Sequence, residues 1–502
     1  MFDYIVIGAG TAGCALASRL TENPETAVLL IEAGPAGRKR EIHIPAAFPK
    51  LFKTEVDWNF TTEPQEFLNG RSLYWPRGKM LGGTGSMNAM IYVRGRAADF
   101  DRWRDLGNAG WGYDDVLPLF QEAETRHLSL GGLKSINPLS QAFVDACGQV
   151  GIPANSDFNG PSQSGAGFYS LMQANGRRWS TADAYLRPAL RRGNLTVWTD
   201  VRATRVLIEN GRAAGVEYTQ DASGGQVRAA REVILCAGAV GSPQLLMLSG
   251  IGPLQDLDTL GIPVVVDLGG VGENLQDHLS VSVPYACTKP VSLAGAFTFG
   301  NRLKYTCGRS GPLTSNLAEA GAFVKSRPDL SECDLQLLFS PVPGVDHGFT
   351  ATGGHGFSLR AALLTPASRG RIALRSANPT DPPAIFPRYL ADPSDLPPLM
   401  EGLKLARRIV HAAAFDAYRG EPIFPQDDPE PYIRAHAGTL YHPVGTCKMG
   451  EDEGSVVNAK LQVYGVTGLR VVDASVMPVI VGGNPNAATI MIAEKAARMI
   501  KE

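Results

Sequence analysis

The segment Tyr441 to Gly450 reads YHPVGTCKMG, and His442 within it is the last of eight histidines in a 502-residue chain. An unperturbed imidazole titrates near pH ~6.5, so it can take a proton at neutral pH, and a well-placed base is worth ~10² to 10⁴-fold in rate. The segment also reads as a turn, stiffened by Pro443 and broken at Gly445, in which the histidine only satisfies backbone groups. On the residues alone both readings stand. A second candidate lies nearer the C-terminus, where Asn484-Pro485-Asn486 precedes the apolar stretch Ala487 to Ile500. The Asn486 amide can donate to a substrate oxygen while accepting elsewhere, and asparagine is equally a preferred helix N-cap. His436, six residues before His442, fits no helical ligand spacing and reads as a surface residue, while His278 in NLQDHL reads as packing.

A base needs a reaction partner, and the N-terminus is built to hold one. YIVIGAGTAGCALASRL, Tyr4 to Leu20, is a β-branched apolar run, a glycine-rich turn and a small-residue helix, with Gly8, Gly10 and Gly13 at GxGxxG spacing. Gly8 allows the tight turn, Gly10 lets backbone approach a pyrophosphate and Gly13 lets the helix lie close to the strand, while Thr11 and Ala12 open a helix whose N-terminus faces the phosphates. A second strand, AVLLIEAG, ends at Glu32 and Ala33, and an acid at this distance accepts from a ribose diol. The fingerprint does not separate FAD from NAD. The segment Pro76 to Gly95, PRGKMLGGTGSMNAMIYVRG, is too glycine-dense for a regular helix before Ser86, and such a loop can lay N–H groups along a second phosphate or a flavin ring. A third segment, REVILCAGAVGSPQLLMLSGIG, repeats strand, turn and helix, with Ser242-Pro243 reading as the helix start.

Composition excludes several classes. Lys plus Arg number 47 against 49 for Asp plus Glu, a net charge of −2 without a long basic stripe, which argues against nucleic acid. The seven cysteines are scattered and free of CxxC spacing, as expected of reduced thiols in a cytoplasmic setting and not of a disulfide framework or a metal site. Cys236 and Cys447 read as small buried hydrophobes. The sequence runs from Met1 directly into a strand, and no window reaches the ~18 apolar residues of a membrane span. The expectation is a soluble cytoplasmic protein, compatible with peripheral association at the inner face of the membrane. LQLLFSPVPG and HGFSLRAALLTP read as sheet strands, and LMEGLKLARRIVHAAAF as a helix after the proline-rich stretch Asn378 to Pro398.

Taken together, GKMLGGTGSMNAMIYVRG with Asp101 beyond it, GAVGSPQLLMLSGIG, VGENLQDH, YHPVGTCKMG, LRVVDASVMP and NPNAATIMIAEKAA resemble the glucose–methanol–choline (GMC) oxidoreductases over nearly the whole chain. LNGRSLYWPRGK, SNLAEAGAFVKS and SRGRIALRSANP are most similar to bacterial dehydrogenases of aliphatic primary alcohols, then to choline dehydrogenases. The resemblance implies an α/β chain, α+β overall: a Rossmann-type FAD-binding domain assembled from residues 1–155, 190–285 and 440–502, and a substrate domain from 156–189 and 286–439 with an antiparallel sheet flanked by helices. It places Glu32 on the adenosine ribose, Ala203 near adenine, and Gly82, Gly83, Asn88, Ala89, Met90 and Ile91 along the pyrophosphate and flavin. It also places Asp473 and Ala474 beside the ribityl or pyrophosphate portion, Pro485 and Asn486 at the flavin, and His442 and Asn486 as the base and amide of catalysis. Some members tether FAD through a histidine in the glycine-rich loop. Met87 stands at that position here, so FAD is expected to be non-covalent. The implied reaction is oxidation of a primary alcohol to an aldehyde, with electrons passed to a quinone or a dye-like carrier. An alcohol oxidase using O2 and a flavin-containing hydroxynitrile lyase are the alternatives.

Overall fold

In the computed structural model, described for all residues except 222, 345, 350–352, 426 and 427 and for the backbone alone at Asp346, two large sheets share one hydrophobic core. The first has a parallel centre. Leu469–Val471, Ser223–Leu235, Phe2–Ile7, Val28–Ile31 and Leu195–Trp198 lie side by side in that order, all parallel. VLLI of the second N-terminal strand is buried throughout, as a parallel strand covered on both faces must be. Helix Thr11–Leu20 returns over this sheet and packs on the C-terminal helix Asn486–Lys501, with Arg19 bridging to the buried Glu494 at 2.9 Å. The 13-residue strand Ser223–Leu235 belongs to two structures at once. Its first half pairs antiparallel with Arg212–Gln220 and its second half parallel with Phe2–Ile7, so a meander grows directly from the Rossmann-type sheet.

The second sheet is antiparallel, in the order Arg419–Pro422, Leu279–Cys287, Gly356–Leu363, Leu335–Ser340, Ala320–Val324, Gly165–Phe168. Helices Leu396–Val410 and Pro138–Gln149 pack against it. The boundary expected at 285/286 falls inside the strand Leu279–Cys287, and Pro138–Gln149, expected with the cofactor domain, packs on this sheet. The reason is local: the strand pairs within the sheet over its whole length, and the helix buries its apolar face against this sheet and the helical segments beside it.

Two helix starts differ from expectation. The helix expected at Ser242-Pro243 begins at Gly238, because the Asp473 carboxylate accepts from Gly238 N–H at 2.8 Å and from the Ser242 hydroxyl at 2.6 Å. Such an acceptor at a helix N-terminus fixes the first turn. The last helix begins at Asn486 itself, with no side-chain cap, so the N-cap reading of Asn486 does not hold. No helix among the described residues is long and apolar enough to cross a membrane.

Candidate active site

The first glycine-rich turn folds as its spacing requires. A Cβ on Gly13 would sit 1.9 Å from the Gly8 carbonyl oxygen, so only glycine lets this helix meet the turn. Gly10 lines a cavity in which its backbone can approach a ligand. The second glycine-rich loop closes on the first: Gly82 N–H donates to the Ala9 carbonyl at 2.7 Å, and a Cβ on Gly83 (φ +52°) would meet Gly10 Cα at 2.7 Å. Two chain segments seventy residues apart in sequence thus form one backbone cradle, with their N–H groups and a helix N-terminus converging on it.

The two carboxylates of the cradle are pinned. Glu32 accepts from Ala9 N–H and Gly34 N–H, both at 2.9 Å and one on each oxygen, so each oxygen keeps a lone pair for a diol. Burial pushes its pKa up to about 7 against the pull of those two N–H groups. Asp473 accepts from Gly238, Ser242 and Ser475, and burial raises its pKa as well. Asn88 is held by Arg178, a fully buried guanidinium that donates to the Asn88 side-chain oxygen at 2.7 Å and to its carbonyl at 2.6 Å. Burial lowers the Arg178 pKa to about 9.

One cavity of about 880 Å³ runs from this cradle to His442, near the upper end of the ~300–1,000 Å³ usual for small-molecule sites. Gly8, Gly10, Thr11, Ala12, Glu32, Ala33, Gly83, Asn88, Ala89, Met90, Ile91, Ala203, Asp473, Ala474, Pro485, Asn486 and His442 all line it, while Gly13 and Gly82 stand behind its wall. Met87 also lines it. The backbone at Gly10, the two acceptor carboxylates and the length of the cavity fit a dinucleotide such as FAD, with Glu32 at one end and His442 at the other.

His442 is aimed by its surroundings. Tyr441 before it has φ +68°, a left-handed conformation held by Arg77, which donates to the Tyr441 carbonyl at 2.6 Å, and by Thr439, whose hydroxyl accepts from Tyr441 N–H at 2.7 Å. Asp277 accepts from His442 N–H at 2.7 Å and from the hydroxyls of Thr439 and Tyr389. The imidazole Nδ1 lies 2.9 Å from Nδ1 of His278, and its Nε2 lies 3.1 Å from the Asn484 amide nitrogen. Asn484 in turn has its oxygen 3.2 Å from the Gln336 amide nitrogen, which also donates to the Tyr169 hydroxyl at 3.0 Å. One proton arrangement satisfies this chain: Gln336 donates to Asn484, Asn484 donates to His442 Nε2, and His442 Nδ1–H donates to His278. It leaves Nε2 of His442 as an acceptor on the cavity side. Burial, then the neighbouring His278 and Arg77, push the pKa of His442 well below 6.5, so the ring is neutral at physiological pH. His278 is pushed down to about 3, chiefly by burial.

Three residues therefore differ from their sequence-based roles. Asn484, not Asn486, is the amide that meets His442. Asn486 turns toward the cradle, accepting from the Thr11 hydroxyl at 2.8 Å and lying 3.2 Å from Met172 Sδ. His278 is the hydrogen-bond partner of His442 and not mere packing. His436 stacks on Phe424 and Tyr432, away from this chain of bonds. Burial raises the pKa of both Cys236 and Cys447 far above the thiol range, which keeps them protonated.

The chain is similar to known proteins along nearly its whole length. The chain matches the family models for the N-terminal part of the GMC oxidoreductases over residues 2–280 and for the C-terminal part over residues 366–493. It is 45% identical over 527 aligned residues to an alcohol dehydrogenase [acceptor] of Pseudomonas putida, covering 100% of this chain and 96% of that one. It is 44% identical to the mitochondrial choline dehydrogenase of Mus musculus, covering 100% of this chain and 89% of that one. Among solved structures, pyridoxine 4-oxidase from Mesorbium loti superposes with a TM-score of 0.91 at 33% identity, covering 99% of each chain.

Proposed function

The chain belongs to the GMC oxidoreductase family of FAD-dependent enzymes acting on CH–OH groups, and we propose that it oxidises a primary alcohol to an aldehyde with His442 as the base. The observation that carries this reading is the neutral His442, with an accepting Nε2 on the wall of the same cavity that the dinucleotide cradle lines. Held there, FAD supplies the acceptor for the hydride that leaves the carbinol carbon.

The protein's own part is the proton and the geometry. The alcohol hydroxyl replaces the Asn484 N–H on the one lone pair of His442 Nε2, which is unprotonated across the working pH range. The Asn484 amide nitrogen, held toward the same nitrogen by Gln336, donates to the hydroxyl oxygen and stabilises charge that grows on it as the proton leaves. Proton and hydride leave the same CH–OH unit, so the products are an aldehyde, a proton on His442 and two electrons on the cofactor. His278 accepts from His442 Nδ1–H, which keeps the base in the correct tautomer. Met87 offers no nucleophilic nitrogen to the cofactor, which supports non-covalent FAD. Acid precipitation should release all of the flavin into the supernatant. A quinone or similar carrier is the proposed electron acceptor.

The test is anaerobic bleaching of the FAD-loaded enzyme with a panel of primary alcohols, followed by turnover with a dye and, separately, with oxygen alone. His442→Ala and Asn484→Ala should each slow bleaching about 10² to 10⁴-fold without loss of bound flavin. If no alcohol in the panel bleaches the flavin, the reading is wrong.

A further inference from the structure

The substrate half of the cavity carries positive charge and, among the described residues, no carboxylate. The two acids among the described residues that line the cavity, Glu32 and Asp473, both lie at the cradle, where each already accepts from donors of the protein. The far half is lined by apolar side chains such as Leu338 and Phe349, together with Lys50 and Arg360.

Arg360 is the member set within the antiparallel sheet. It lies in the strand Gly356–Leu363 and is the only residue of that strand that is not fully buried. Its neighbours across the ladders are Ser282 and Leu338. Its hydrogen bonds go to neutral hydroxyls, a long one of 3.4 Å to Ser280 and one to Tyr441, the residue before the base. No described carboxylate lies within 4.0 Å of it, unlike Arg94 with Glu124 and Arg96 with Asp99; the enclosed Arg77 and Arg178 also lack one, but each donates to backbone carbonyls instead. A guanidinium in the middle of a sheet with no counter-ion among the described residues favours an anion arriving from outside.

The cavity mouth has the same sign. Two of the aromatic rings that line it carry ammonium groups of the protein: Lys50 Nζ lies 3.5 Å from the Phe297 ring centre, and Lys53 Nζ lies 4.3 Å from that of Phe349. Like charges at such short range disfavour a cationic alcohol.

We infer that the substrate is a primary alcohol whose far end bears a carboxylate, bound by Arg360 with the carbinol at His442, and that it is preferred over quaternary ammonium alcohols. The inference rests on the alcohol-oxidation reading above and narrows it. A planar carboxylate is the anion that matches the paired N–H groups of a guanidinium.

The test uses FAD-loaded enzyme with a dye acceptor and three substrates: 6-hydroxyhexanoate, 1-hexanol and choline. The hydroxy acid should have the highest kcat/KM, about ten- to a hundredfold above hexanol and mainly through KM, with choline the poorest. Arg360→Leu should collapse the ratio of hydroxy acid to hexanol toward unity, and Arg360→Lys should keep part of it. Should the variants fold poorly, inhibition of wild-type hexanol oxidation by hexanoate against hexyltrimethylammonium reads the same preference, with hexanoate expected to be the stronger inhibitor. Hexanol turnover without any advantage for the hydroxy acid, or a preference for choline, overturns this inference and leaves alcohol oxidation standing. Failure of all three to bleach the flavin removes both.

Discussion

Glu32→Gln separates what the cofactor end of the cavity needs for binding from what the fold needs for stability. The Glu32 carboxyl is raised from 4.5 to about 7, burial being the largest cause. At 1.36 kcal/mol per pH unit this corresponds to about 3 kcal/mol. The folded chain holds this proton more tightly than the unfolded chain does, so the contribution to stability is fully present below pH ~4.5. It is lost as the pH rises to about 7, and the deficit is constant beyond that. Glutamine is uncharged like the protonated carboxyl and does not titrate. With the cofactor removed, the stability of the variant relative to wild type should therefore rise by about 3 kcal/mol between pH 4.5 and pH 7, on top of a pH-independent cost of the NH2 set against one backbone N–H; the rise is about 3 °C in Tm at the ~1 kcal/mol/K unfolding entropy of a chain this long. Binding should move the other way. The carboxylate offers two oxygens, each already holding one backbone N–H, whereas the amide offers one oxygen and sets an NH2 against Ala9 or Gly34. A charge-assisted bond to the ribose is lost, and FAD affinity should fall about 10- to 150-fold at pH 8. The assay is thermal unfolding of both apoproteins across pH 4.5 to 8, with FAD titration by flavin fluorescence at the upper limit. A Tm difference that does not change with pH refutes the assignment of the raised pKa to Glu32, and unchanged FAD affinity refutes its contact with the ribose.

Other outcomes follow from the same geometry. Because burial holds His442 well below 6.5, kcat/KM should be flat through neutral pH and fall only on the acid side, with its inflection below 6.5; a limb centred above 7 would show that another group is the base. Gln336→Glu removes the donor that orients Asn484 and should turn the amide so that its oxygen faces Nε2 of His442, lowering kcat more than Gln336→Leu does and shifting the pH profile, whereas equal losses in both variants would reduce Gln336 to a packing role. Gly13→Ala forces a Cβ to 1.9 Å from the Gly8 carbonyl and should yield protein without bound flavin, read as the ratio of absorbance at 450 to 280 nm; retention of a full complement would mean the turn is not the phosphate cradle.

The parts of this site that could be read from the sequence are those whose requirement is local. Gly8, Gly10 and Gly13 are legible because a strand–turn–helix with a close backbone approach allows no other residue at those spacings, and the structure shows the clash directly at Gly13. The parallel strands are legible as short apolar runs, since burial on both faces removes any alternation. What could not be read is direction. Asn484 and Asn486 flank one proline. The residue before a proline is held extended and outside the helix, so Asn484 projects across the loop to His442, while Asn486, the first helical residue, turns toward Thr11. That asymmetry was available from the NPN order itself, whereas the identity of the partners was not. Gln336 comes from the middle of a strand that reads as an ordinary apolar run, and Arg178 from a short strand with no motif around it. Both are buried polar groups whose neighbours lie more than eighty residues away in sequence. Such residues enter a site because a buried amide or guanidinium must be satisfied, and only the packed chain shows what satisfies it. The same principle makes Arg360 informative: Arg178 is satisfied by carbonyl and amide oxygens of the loop it holds, but Arg360 faces the cavity with two hydroxyls and no described acid, so the group that completes it belongs to whatever the cavity takes in.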